Sequence, residues 1–386
     1  METEKLYYAD PFLREFTARI LTCEKGPKGG FLVTLDRTAF YPEGGGQPCD
    51  FGTLDGKSVT DVQEKDGVIF HKVEKSVEIG QNVTGILDWE RRFDHMQQHS
   101  GEHIISGILC DAFHCDNVGF HMGSDVVTID YNADISWEQA LEAQAKANAV
   151  IAADTPFVIT YPSAEELKTI DYRSKKELFG QVRIVTVPGA DCCACCGTHV
   201  LRCGQVGLVK VLSVQKFREG VRIEIVCGNR ALRLFDTVYE QNRAVAQSLS
   251  VKPEATAAAV ARTLGELSDA KTRCAELEEQ HFLELSKTYA GAGDTVLFFS
   301  PMPSDAVRKL TDAVAKQCGG LAAVFAGPEE TDKYNYALIR ADGADISALV
   351  KSMNAALSGR GGGRNGFAQG SVRAEKTDIQ AFFKQQ

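Results

Sequence analysis

Apolar and polar positions alternate in short runs from residue 1 to about 90, the period of strands with one buried face. Glu15 to Glu24 and Phe31 to Leu35 flank the turn-forming Gly26-Pro-Lys-Gly-Gly30, and Asp55-Gly56 and Asp66-Gly67 are hairpin dipeptides. The pattern predicts a small β-barrel. At Asp94 the period lengthens. Met96, Ile104, Ile105, Ile108 and Leu109 predict a helix that carries His99 and His103. Gly101 and Gly107 each weaken it by about 1 kcal/mol relative to Ala. Gly101 serves either to leave room for a substrate or to let the helix pack closely.

Strands are expected at 116–122 and 125–131. The string Ser136-Trp-Glu-Gln139 is a capping box opening a helix that runs to about Asp154. More strands follow at Phe157 to Tyr161, Val182 to Val187, Gly207 to Gln215 and Val221 to Cys227, an α+β pattern. From Asn229 to Tyr289 the chain reads as helix, broken at Ser250-Val-Lys-Pro253. Leu264, Leu267, Ala270 and Leu277 lie at near-heptad spacing, which fits a helical hairpin or the stalk of a homodimer. Beyond Asp294 the pattern is α/β. It has strands at Thr295 to Ser300, Leu321 to Ala326 and Tyr336 to Arg340, helices at Ser304 to Gln317 and Ile346 to Leu357, and a glycine-rich string from Ser358 to Gly370. Four domains are expected, at 1–90, 91–228, 229–290 and 291–386.

Composition narrows the setting. No apolar run is long enough to span a bilayer, and Met1-Glu-Thr-Glu-Lys5 lacks the apolar stretch of a signal peptide. No membrane partner is expected, and the expected compartment is the cytoplasm. There are 12 cysteines, which in that compartment read as reduced thiols rather than a disulfide framework. The net charge of -10 excludes a general basic coat for nucleic acid. It leaves RNA to be gripped by local patches, with modest and salt-sensitive affinity.

Two strings carry the candidate chemistry. His99-Ser-Gly-Glu-His103 places two imidazoles one helical turn apart on one face. Well downstream, Cys195-Cys-Gly-Thr-His199 repeats the i,i+4 spacing with a thiolate and a third imidazole. Together they form a His3Cys set suited to tetrahedral Zn2+. Cys192, Cys193 and Cys196 are rival ligands. The first string also fits the H-x-x-E-H pattern of inverzincin peptidases, with Glu102 as the candidate catalytic base. That class expects a downstream carboxylate ligand on a helix, where this chain has a Cys-and-His string between strands.

A third string, Phe40-Tyr-Pro-Glu-Gly-Gly-Gly-Gln-Pro48, is a loop built for close backbone approach. It makes Tyr41, Gly44, Gly45, Gly46 and Gln47 candidate substrate-binding residues. Ser100 and Thr198, inside the two ligand strings, join them as candidate substrate contacts, or else as backbone caps. Arg360 and Arg364 in the C-terminal glycine-rich string are candidate phosphate contacts, where small residues let a backbone approach.

Taken together, H-[ST]-[AG]-x-H-[LI] at His99 to Ile104, C-x-G-T-H-V at Cys195 to Val200 and F-Y-P-x-x-G-G-Q-P at Phe40 to Pro48 resemble the alanyl-tRNA editing family. Gly361-Gly-Gly-Arg-Asn-Gly-Phe-Ala-Gln369 is similar to the DHHA1-type domain that ends alanyl-tRNA synthetase. The resemblance covers the whole chain in the order of a long-form trans-editing protein, with no synthetase catalytic domain ahead of the barrel. It implies a zinc-dependent aminoacyl-tRNA deacylase acting on tRNA(Ala) mischarged with serine or glycine. Segment 91–228 would be the editing domain and 291–386 a DHHA1-like tRNA-binding domain. Glu102 falls at a variable position of the family pattern. The contrasting expectations are an RNA-binding adaptor with a structural zinc and a peptidase-like hydrolase.

Overall fold

The alternation along residues 15–87 has its counterpart in six antiparallel strands: β1 (Glu15–Lys25), β2 (Phe31–Leu35), β3 (Gly52–Leu54), β4 (Lys57–Lys65), β5 (Val68–Val73) and β6 (Asn82–Leu87). In the computed structural model, which describes residues 2–27, 29–174, 181–328 and 332–385, they close into a barrel in the order β1-β2-β5-β4-β3-β6. Asp55, Gly56, Asp66 and Gly67 all have positive φ, the geometry of the tight hairpins their sequence predicts. Phe16, Ile20, Val33, Leu35, Phe40 and Ile69 fill the interior.

Helix α1 (Trp89–Phe113) follows directly. It begins well before Asp94. Asp88 is the N-cap, its carboxylate accepting from the Arg91 amide at 3.1 Å, and Trp89 to Phe93 extend the first turn. From His95 to Gly107 every residue of α1 is buried, so the helix has no solvent face there and its polar side chains must be partnered inside the protein. Beyond it come β7 (Asn117–Met122), β8 (Val127–Tyr131), α2 (Trp137–Ala153, with the Ser136–Gln139 capping box present), β9 (Val158–Thr160), β10 (Ile184–Val187), β11 (Asp191–Ala194), β12 (Val209–Phe217) and β13 (Gly220–Cys227).

Two antiparallel sheets result, in the orders β12-β13-β8-β7 and β9-β10-β11. Helix α1 packs on α2, β7, β11 and β13. The Gln98 amide brackets the backbone of Cys227, accepting from its N–H at 2.8 Å and donating to its carbonyl at 2.9 Å. Gly101 sits where a Cβ would lie 2.3 Å from the Cys227 sulfur. Its missing side chain therefore serves the close approach of α1 to β13 and not a substrate.

The chain divides into two compact units, residues 1–242 and 243–386. The barrel and the layers around α1 share the first unit, joined by a fully buried ion pair between Arg92 of α1 and Asp50 of the barrel. Arg92 also donates to the carbonyls of Pro11 and Ala39. The helical segment is shared between the units, because the boundary falls inside α3 (Gly228–Ser248). In the second unit α4 (Thr256–Lys287) packs on α5 (Ser304–Cys318).

The second unit's sheet comprises β14 (Gly293–Phe299), β15 (Gly319–Ala326), β16 (Lys333–Arg340), β17 (Arg360–Arg364) and β18 (Phe367–Arg373) in the order β14-β15-β16-β18-β17. Its first pair is parallel and the rest antiparallel. Helices α6 (Ser347–Ala356) and α7 (Lys376–Lys384) complete it. Among the described residues, no helix is long and apolar enough to cross a membrane.

Removing one partner of a buried ion pair strands the other charge. Asp50→Ala is therefore expected to lower the unfolding free energy by about 3–5 kcal/mol, read as a fall in the urea midpoint. A loss below about 1 kcal/mol, the value of an exposed pair, would contradict the role given to Arg92 and Asp50.

Candidate metal centre

Helix α1 presents His99 and His103 on one face, and the segment after β11 delivers Cys195 and His199 to them. The candidate donor atoms of these four residues all lie within 4.8 Å of one another. Cys195 Sγ is 3.4 Å from His99 Nε2 and 3.4 Å from His199 Nε2. A tetrahedron with Zn–N and Zn–S bonds of about 2.0–2.3 Å has edges of about 3.3–3.8 Å, so the observed separations match it. Cys195 is the one residue of the set that is not fully buried.

The remaining ring nitrogens are all engaged. His99 Nδ1 donates to Gln47 Oε1 at 2.8 Å, His103 Nδ1 to Asp191 Oδ2 at 2.7 Å, and His199 Nδ1 lies 3.4 Å from Ser100 Oγ. Amide and carboxylate oxygens accept only, so the first two contacts fix Nδ1 as the protonated nitrogen and turn Nε2 toward the cluster. Phe120 stacks on His99 and Phe157 on His199, with ring centroids 5.2 and 5.8 Å apart.

Burial opposes ionisation of the Cys195 thiol, but the facing imidazoles of His99, His199 and His103 hold its pKa well below the usual range. Burial takes His199 down to about 3, so its ring is neutral. The Cys195 thiolate and the Asp191 carboxylate hold the His103 pKa up against burial, and three imidazoles with one thiol facing one point are the donor set of a zinc site. Of the rival cysteines, Cys193 alone among the described residues shares a donor with this set. Cys193 groups with His103 and Asp191, but burial pushes its thiol up to about 11. Cys192 and Cys196 belong to neither group among the described residues.

The glycine loop reaches the cluster through Gln47. Gly44 and Gln47 exchange backbone hydrogen bonds around Gly45 and Gly46, whose φ values of +60° and +85° make the tight two-residue turn. Tyr41 is buried and donates its hydroxyl to the Gly44 carbonyl. A Cβ at Gly46 would lie 2.5 Å from Phe120. Gln47 then donates to Thr198 Oγ1 at 2.8 Å while its Oε1 accepts from His99 and from the Thr198 amide. Ser100 Oγ accepts from the Val200 amide at 3.1 Å, the capping role. Gln47, Thr198 and Ser100 thus brace the ligands. Glu102 lies outside the ligand cluster, its carboxylate accepting from Ser106 and Asn117. Arg360 and Arg364 stand exposed on β17 of the other unit.

Sequence reasoning missed the supports that do not repeat a ligand spacing. Asp191 orients His103 and is itself held by Arg173 at 2.8 and 2.9 Å. Arg183 donates to the carbonyls of Cys195 and Gly197 at 2.7 and 3.0 Å, and Tyr8 to that of Cys196 at 3.1 Å. The one available signal was Asp191 four residues before Cys195.

Comparison with known proteins places this architecture. The chain is 32% identical to the alanyl-tRNA editing protein AlaX-L of Pyrococcus horikoshii, over 97% of this chain and 96% of that one. The chain belongs to the alanyl-tRNA editing family. It is 27% identical to the alanyl-tRNA editing protein Aarsd1 of Danio rerio, over 97% of this chain and 96% of that protein. It is 31% identical to the alanine–tRNA ligase of Pyrococcus abyssi, over 96% of this chain but 42% of the ligase. The threonyl and alanyl tRNA synthetase second additional domain matches residues 182–224, which hold the Cys195 string, and the DHHA1 domain matches 295–386. A class II (A) tRNA synthetase family matches 9–91, the barrel.

If Gln47 orients His99, Gln47→Ala should weaken zinc binding by about 10–100-fold, measured by competition with a chromogenic chelator. Unchanged zinc affinity combined with altered choice of substrate would return Gln47 to the role of substrate reader.

Proposed function

We propose that this chain is a trans-editing hydrolase that deacylates tRNA(Ala) mischarged with serine, and with glycine, using a zinc ion held by His99, His103, Cys195 and His199. The observation that carries the reading is the convergence of those four donors on one point from two distant stretches of a chain of this family. Bound there, zinc supplies a Lewis acid for the ester carbonyl and a means of activating water at neutral pH.

The protein's own groups do the rest. Gln47 and Asp191 hold the protons on His99 and His103 at Nδ1, away from the reacting centre. Phe120 and Phe157 wall the imidazoles and exclude water from their faces. A second site of this kind has a physical purpose. A synthetase pocket sized for alanine discriminates against an added hydroxyl by only about a hundredfold, so errors need a separate hydrolytic check. We further propose that the unit of residues 243–386 binds tRNA through Arg360 and Arg364. Both are exposed on β17 beside glycines that leave the backbone approachable. The bonding of Glu102 to Ser106 and Asn117 argues against a peptidase-like base.

The direct test is deacylation of Ser-tRNA(Ala), Gly-tRNA(Ala) and Ala-tRNA(Ala) side by side, with and without a chelator. Serine and glycine should be released and alanine retained, with activity lost on chelation. His103→Ala should abolish hydrolysis while tRNA binding persists, because affinity comes from phosphate contacts elsewhere. Full activity in a metal-free variant contradicts the mechanism.

Glu102→Gln should keep most of the activity, since the amide still accepts from Ser106. A fall of about a hundredfold, the low end of general-base contributions, would restore Glu102 as a base.

A further inference from the structure

One helical turn before His99, α1 carries another buried imidazole that the metal centre does not use. His95 is 3% exposed, and its Nδ1 is buried with no hydrogen-bond partner. An unpaired buried ring nitrogen costs about 1–3 kcal/mol of desolvation, so it calls for an explanation. The same side chain lines a cavity of about 440 Å³, within the range of small-ligand sites.

Two residues of its lining lie beside the glycine loop that braces His99. Pro48, directly after Gln47, and Met122, whose amide bonds the Gly46 carbonyl at 3.3 Å, both line it. Its polar wall is charged but internally balanced. Arg230 is spent on Asp94 and on the Gly123 carbonyl. Arg91 donates to the Cys49 carbonyl and lies over the Phe51 ring. Asp88, Glu90 and Asp94 oppose the three arginines that line the space. Such a wall does not favour an anion. Burial, with Arg91 and Arg230 nearby, lowers the His95 pKa to about 3, so its ring is a neutral donor and acceptor rather than a cation. The complementary ligand is neutral, flat enough to lie along Pro48 and Met122, and bears its own donors and acceptors.

We propose that this cavity seats the terminal purine nucleoside of the tRNA acceptor end, with His95 hydrogen-bonding it. Deacylation at the four-residue cluster is assumed, as argued above. Four helical residues span about 6 Å, comparable to the distance from an esterified ribose hydroxyl across the sugar to its base. His95 is thus a positioning residue that sets where the ester lies relative to the cluster.

The test uses the full-length protein labelled with 15N-histidine and titrated with adenosine, with cytidine as the control. Adenosine is expected to shift the His95 ring resonances and cytidine not to. His95→Ala and Ser124→Tyr, the latter placing a bulky ring from an exposed loop into the cavity, should each raise KM for Ser-tRNA(Ala) about tenfold, the worth of one buried hydrogen bond. Their kcat and zinc content should stay close to wild type. His95→Gln, which keeps a donor and an acceptor, should recover much of the loss.

Unmoved His95 resonances together with wild-type KM in Ser124→Tyr overturn the proposal, whatever the fate of the buried variant. Adenosine binding at His95 in a protein that releases no amino acid from any tRNA(Ala) would sustain the nucleoside site and defeat the deacylase reading instead.

Discussion

The site depends on one constraint: a histidine can present a lone pair to a metal only if its other nitrogen is held in place. Here Gln47 and Asp191 impose that on His99 and His103, and both are themselves locked. Gln47 is fixed by Thr198, and Asp191 by Arg173. The four donors are therefore set by a ring of partners drawn from the barrel, from α1 and from the segment around β11. Loss of any one support leaves the donors present but free to turn.

That constraint explains why the barrel and the layers around α1 form a single unit. Gln47 belongs to the barrel's glycine loop and reaches its ligand across the junction, while the buried Arg92–Asp50 pair ties the base of α1 to the same barrel. A loose barrel would let Gln47 drift and His99 lose its orientation. The tight turn at Gly45 and Gly46, the stacking of Phe120 on His99 and the lack of side chain at Gly46 are parts of the same fit. Gly197 completes it from the other strand connection, since a Cβ there would lie 2.1 Å from the His99 ring.

Much of this was legible in the sequence because it rests on local periodicity. Two i,i+4 pairs, alternating strands closed by Asp-Gly turns and a serine capping box each declare themselves within a few residues. What was not legible depended on distant neighbours. Gly101 has two readings until Cys227 is placed against it. Gln47 and Ser100, candidate substrate contacts by sequence, also bond His99 and the Val200 amide, which no local pattern announces. The apolar period places the start of α1 at Asp94, whereas the helix opens at the Asp88 cap, a local bond to the Arg91 amide that apolar periodicity does not carry. The stretch Arg360 to Arg364 reads only as a glycine-rich string, yet it pairs with β18 as an exposed edge strand. Pairing partners override propensity there.

The central claim is that these four side chains hold one zinc ion. Zinc-edge X-ray absorption of the purified chain tests it most directly, since it counts sulfur and nitrogen neighbours without reference to activity. The account predicts one zinc per chain with a single sulfur at about 2.3 Å and nitrogens at about 2.0–2.1 Å, and loss of the sulfur shell in Cys195→Ser. A shell of two or more sulfurs, or a sulfur shell that survives Cys195→Ser, would contradict it by assigning the ion to the neighbouring cysteines.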